Sequence, residues 1–102
     1  MRNHITVTID ELRRFVVPKD VRESFGWITG TRLAITVNLD DGMATVTEVG
    51  DKPPALHCEI DDHGRLTIPE PVARSLEWVK GTVIALSPSH NGHALALVRV
   101  AL

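Results

Sequence analysis

Two stretches of this sequence could do chemistry with a polyanion. Asp10-Glu11-Leu12-Arg13-Arg14 and Asp61-Asp62-His63-Gly64-Arg65 each set an arginine four residues after an aspartate, and Pro18 or Pro69 follows shortly after. An arginine fork donates two parallel hydrogen bonds to a phosphate, or to guanine in the major groove. The same spacing also suits an ion pair inside a turn, Asp10 with Arg14 and Asp61 with Arg65, and charge clusters are more often solvated surface than a site. From Arg13 to Arg22, Arg13, Arg14, Lys19 and Arg22 stand against Asp20 alone, with Lys19 suited to a simple phosphate contact. The equivalent segment of the second copy, Gly64 to Ala73, is neutral, Arg65 being balanced by Glu70, and extending it to Arg74 gives +1.

Other reactive side chains form no comparable pattern. His57 and Cys58 are adjacent, and His90 and His93 flank a turn. Strand alternation sends His57 and Cys58 to opposite faces and no zinc-like spacing appears, so no metal is expected. A Ser/His/Asp set, paired acids and a phosphate loop are all missing, which argues against an enzyme, a cofactor or a small-molecule substrate.

The elements that must position these residues are short. At 102 residues, 43% hydrophobic and 24% charged, the chain has the composition of one globular domain. Cys58 is its single cysteine, which rules out an internal disulfide and fits a reducing compartment, so a cytoplasmic protein is expected. Met1 to Thr8 alternates polar with apolar and predicts neither a signal peptide nor a membrane span. The net charge of −2 means that any DNA-binding face must be locally basic.

Sliding the sequence half its length along itself superposes Pro18 on Pro69, Trp27 on Trp78, Gly30-Thr31 on Gly81-Thr82, and Asp10 and Arg14 on Asp61 and Arg65. Residues 1–51 and 52–102 therefore read as two copies of one unit, joined through Gly50-Asp51-Lys52-Pro53-Pro54. In each copy a period-2 strand (Ile5, Val7, Ile9; Leu56, Cys58, Ile60) leads into the polar loop and a short apolar run ended by proline. A two-turn helix follows, with Val21 and Phe25, or Val72 and Leu76, on its inward face. The tryptophans come next, at matching places that suit a core or interface plug better than base stacking. The Gly-Thr turns open a hairpin, closed at Asp40-Asp41-Gly42 in the first copy and at Ser87 to Gly92 in the second. Each unit reads β-β-α-β-β. One unit buries too little alone, so the two are expected to share a core, within one chain or by exchange with a second.

The stretch from Ile9 to Arg22 resembles the N-terminal signature of AbrB and SpoVT regulators: an acidic loop with an arginine, an apolar pair, Pro, then a basic helix. Ile60 to Pro69 is similar to the same signature and to the Asp-x-x-x-Arg repeats of MraZ proteins, which also carry two units per chain. The resemblance implies a mostly β fold with short helices, a swapped-hairpin AbrB-like barrel in which the two repeats form an intrachain pseudo-dimer. It also implies a face that docks on double-stranded DNA, with Arg14 and Arg65 ranked first, Arg13 and Arg22 next and Arg74 last, and with Lys19 as a phosphate contact. Arg13 departs from the pattern. It stands where the family has glycine, which predicts a reshaped loop.

The expected function is a DNA-binding transcriptional regulator without a cofactor, free of membrane and forming homo-oligomers if hairpins exchange between chains. An antitoxin-like role is the alternative, weakened because only Ala101-Leu102 follow the last predicted strand. A protein-interaction module that has lost DNA binding is the other, favoured by the charge balance.

Overall fold

The computed structural model describes residues 5–49, 56–89 and 93–100. The expected linker at residues 50–54, residues 90–92 of the second turn, and residues 101–102 lie outside the described residues.

The described chain is mostly strand, with two short helices. The first copy supplies β1 (Ile5–Thr8), β2 (Arg14–Val16), α1 (Lys19–Phe25), β3 (Arg32–Asn38) and β4 (Met43–Glu48). The second supplies β5 (His57–Glu59), β6 (Arg65–Thr67), α2 (Glu70–Leu76), β7 (Val83–Pro88) and β8 (Ala94–Arg99). Neither Pro18 nor Pro69 is inside a helical turn. Each is the N-cap, with ψ near 145°, and hands the chain from an extended run to the helix.

Six strands form a curled antiparallel sheet in the order β1-β7-β8-β4-β3-β5. The hairpins β3/β4 and β7/β8 lie side by side through β4 and β8, where Ala44 faces Leu97 and Val46 faces Leu95. The first strand of each copy then pairs with the other copy's hairpin. Ile5 faces Leu86 and Val7 faces Ile84, while Cys58 faces Leu33. β2 and β6 leave this sheet and pair with each other as a two-stranded ribbon, Phe15 opposite Leu66.

The Gly-Thr turns fasten the copies together. The Gly30 N–H donates to the carbonyl of Ile60 at 2.7 Å and that of Gly81 to Ile9 at 2.8 Å. Each glycine holds a φ of 89–90°, which a side chain would oppose. The threonine hydroxyls accept from the N–H groups of Ile28 and Val79, so both residues of the matched dipeptide have work to do in the turn.

One hydrophobic core results. Phe15 and Leu66 enter it from the ribbon, Val21, Phe25 and Val72 from the helices, and Leu33, Val46, Ile84 and Leu97 from the sheet. Trp27 and Trp78 are both buried, and no described side chain leaves a buried polar atom without a partner.

The second hairpin turns later than its sequence predicts. β7 runs on through Ser87 and Pro88, with Pro88 opposite Leu95. A proline at the end of a strand removes no donor that the pairing needs. Ser89 then closes the turn, its hydroxyl accepting from the Ala94 N–H and its N–H donating to the Ala94 carbonyl.

Candidate nucleic-acid interface

The two Asp-x-x-x-Arg loops are built alike. Asp10 Oδ1 accepts from the N–H groups of Leu12 at 2.8 Å and Arg14 at 2.9 Å, and its Oδ2 accepts from Arg14 Nε at 2.9 Å. Asp61 repeats this with the N–H groups of His63 and Arg65, both at 2.8 Å, and Arg65 Nε at 2.7 Å. A short carboxylate that gathers two backbone donors organises the turn on its own. The pairing proposed from spacing as an ion pair inside a turn is thus present in both copies. It uses Nε, and among the described residues the terminal nitrogens of Arg14 have no hydrogen-bond partner. Those of Arg65 meet only His63 Nδ1, at 3.5 Å.

Strand pairing then brings the two loops together. In the β2/β6 register Arg14 faces Thr67 and Val16 faces Arg65, flanking the buried Phe15/Leu66 pair. Alternation turns all four flanking residues outward, so Arg14, Arg65, Thr67 and Val16 share one face. Val16 is half exposed there. Leu12, at the tip of the first loop, is also half exposed. Sequence reading singled out neither apolar residue, although alternation about Phe15 was the signal for Val16.

Arg13 and Arg22 are placed differently. Arg13 takes a φ of 64°, close to the 75° of Gly64, so the loop is not reshaped as its sequence predicts. The loop geometry dictated by the aspartate prevails over the side chain's preference. Arg13 Nε donates to the carbonyl of Ile68 at 3.1 Å, and Arg22 Nε to that of Val17 at 2.8 Å. A Cβ on Gly64 would lie 2.6 Å from Cζ of Arg22, so that guanidinium rests on the glycine. Both arginines are partly buried at contacts within the fold.

No protein-family model and no curated protein sequence matches the chain. Its structure is similar to the solution structure of PHS018 from Pyrococcus horikoshii, with a TM-score of 0.52 at 15% identity. The match covers 96% of this chain and 88% of that one. The likeness is one of fold.

Two clefts flank the helices at equivalent places. One, of about 370 Å³, brings Arg13 beside Arg74, Ala73 and Trp78. The other, of about 500 Å³, brings Lys19 beside Arg22, Trp27 and Ile28. Lys19 is exposed at the start of α1, and Arg74 is exposed and paired with Glu70 at 2.7 Å. An exposed pair of this kind contributes little to stability and leaves the arginine available. His57 points outward and Cys58 inward, where burial pushes the thiol up to about 12. Asp61, Asp62 and His63 bring ligand atoms within 4.8 Å of one another, but Asp61 is already bound to Arg65.

The loop carboxylates resist protonation. Asp10 is held below its ordinary value by the Arg14 N–H first; desolvation, the next largest effect, opposes this, and the Arg14 guanidinium and the Leu12 N–H add to the lowering. Burial raises Asp61, yet the Arg65 N–H, its guanidinium and the His63 N–H outweigh that and bring it to about 2. The unfolded chain, with an ordinary value of 3.8, therefore takes up the proton first. The stabilisation is complete above pH 3.8 and is lost as pH falls towards 2. Thermal unfolding between pH 5 and 2 should show Asp61→Asn flattening this acid limb; an unchanged limb would show that the loop carboxylate is not responsible.

Proposed function

We propose that the chain is a DNA-binding transcriptional regulator of the AbrB/MraZ type, working in the cytoplasm on the nucleoid. The observation that carries this is the β2/β6 pairing, which sets Arg14 and Arg65 on one outward ribbon face with Thr67 and Val16. A two-stranded ribbon fits the major groove, where arginine forks suit guanine and small apolar groups suit the thymine methyl. Each aspartate takes one nitrogen of its arginine and leaves the terminal donors for a ligand, at the cost of a carboxylate on the same face. Lys19 and Arg74 would contact phosphates. Arg13 and Arg22 would act indirectly, by holding the loops that carry the ribbon.

On this reading the interleaved strands form a swapped-hairpin barrel closed within one chain, residues 1–51 and 52–102 serving as the two units of a pseudo-dimer. The net charge of −2 and the two Asp–Arg pairs favour a second reading, a protein-interaction module on the same barrel. Titration of duplex promoter fragments across a salt series separates them. A regulator binds at low salt with an affinity that falls steeply as salt rises, whereas a flat titration at every salt concentration leaves the interaction module.

A further inference from the structure

The bonds from Arg13 and Arg22 to main-chain carbonyls are equivalent in place and opposite in origin. Val17 and Ile68 occupy matching positions, each just before an N-cap proline, and the carbonyl of each accepts one guanidinium Nε. At Val17 the donor is Arg22, from the helix of the same copy, lying over the loop residue Gly64 of the other copy. At Ile68 the donor is Arg13, from the loop of the other copy, in the cleft that also contains the helix residue Ala73. Arg13 aligns with Gly64 in the repeat, and Arg22 with Ala73. Every seam therefore joins one loop position to one helix position, one small and one arginine. Both small residues are buried, and both arginines are partly so.

Like-with-like pairing breaks this arrangement. Two first copies would put Arg13 against Arg22 in both seams. Both guanidiniums would crowd on the same carbonyl, the Cβ at the loop position would fall 2.6 Å from the guanidinium carbon, and the like charges would repel at short range. The guanidinium could move aside only by giving up its 2.8 Å bond. Two second copies would put Gly64 against Ala73, and both carbonyls would lose their donors. Only the unlike pair supplies one guanidinium per seam.

We infer that the exchanged Arg13/Ala73 and Arg22/Gly64 pairs are a pairing code by which the first copy closes on a second copy and rejects another first copy. The partner fitted by each copy's seam is the unlike copy, in the same chain or in a strand-exchanged neighbour.

The test uses the full chain. Ala73→Arg places two guanidiniums in one seam and should lower the unfolding midpoint by about 5 °C or more. Adding Arg13→Gly removes the competitor and leaves a seam of the Arg22/Gly64 kind, so the double variant should return to within about 2 °C of the parent or exceed it. Gly64→Arg with and without Arg22→Ala repeats the cycle at the other seam, with rescue again expected. Gly64→Arg with Ala73→Arg creates like-with-like seams throughout and should give the lowest midpoint or no folded protein. If the single-variant shifts simply add in the two rescue variants, Ala73→Arg with Arg13→Gly and Gly64→Arg with Arg22→Ala, or the like-with-like chain unfolds with the parent, the code does not exist.

Discussion

Trp27→Ala is expected to cost about 3–5 kcal/mol of folding free energy, a large part of the stability of a chain this size. The indole lies at the end of α1, 3% exposed, and meets the Phe25 ring edge-on with centroids 4.8 Å apart and planes at 81°. Trp78→Ala empties an equivalent site, also 3% exposed, but the residue in the place of Phe25 is Leu76. The aromatic pair contributes about 0.5–1.5 kcal/mol beyond burial, so Trp27→Ala should be the more damaging by roughly that amount. Denaturant unfolding of the two variants side by side measures the difference. Equal losses would mean that the ring pair contributes nothing beyond its area.

Arg14→Ala combined with Arg65→Ala should weaken binding to duplex DNA by about 100-fold or more, because a well-placed arginine contact is worth about 1–3 kcal/mol. If the guanidiniums meet phosphates instead of bases, the log–log salt slope should become shallower by nearly 2. Each truncation also leaves an aspartate on the face with no cation beside it. The stability cost should be small, since partly exposed ion pairs contribute about 0–1 kcal/mol, so the variant remains folded for the titration. Asp10→Asn with Asp61→Asn provides the contrast: it removes the same pairs but makes the face more positive, and its affinity at low salt should rise. An affinity untouched by the arginine substitutions would remove the ribbon from the proposed interface.

Much of the local structure is legible in the residues. Alternation of Leu33, Ile35 and Val37 with Arg32, Ala34 and Thr36 marks β3, and the Val21/Phe25 spacing marks the inward face of α1. The matched tryptophans could be assigned to packing because each follows its helix at the same point of the repeat. Strand partners could not be read. A period of two tells which face a strand buries, and is silent on whether Ile5 meets a strand of its own copy or Leu86 of the other. The end of β7 was obscured by Ser87-Pro88, whose turn-forming preferences are overridden by pairing with β8.

The candidate site was legible in part. The Asp-x-x-x-Arg spacing correctly allowed an ion pair, and the ribbon that unites Arg14 with Arg65 is a tertiary pairing between segments half a chain apart. Arg13 and Arg22 counted in the sequence as free positive charge, yet both donate to main-chain carbonyls. A signal for this was present in the repeat alignment, where arginine changes places with a small residue at two positions in opposite directions.

The interleaved sheet also fixes an order of events during synthesis. Ile5 leaves the ribosome well before Leu86, the residue it faces. Until β7 has emerged, β1 has no edge to join, and β2 has no β6 with which to cover Phe15. Among the described strands, β3/β4 is the sheet pairing that the nascent first copy can complete by itself. Its growing chain must therefore carry apolar, unpaired strands until the second copy has been made, the interval in which such edges are most exposed to aggregation or to capture by a neighbouring nascent chain.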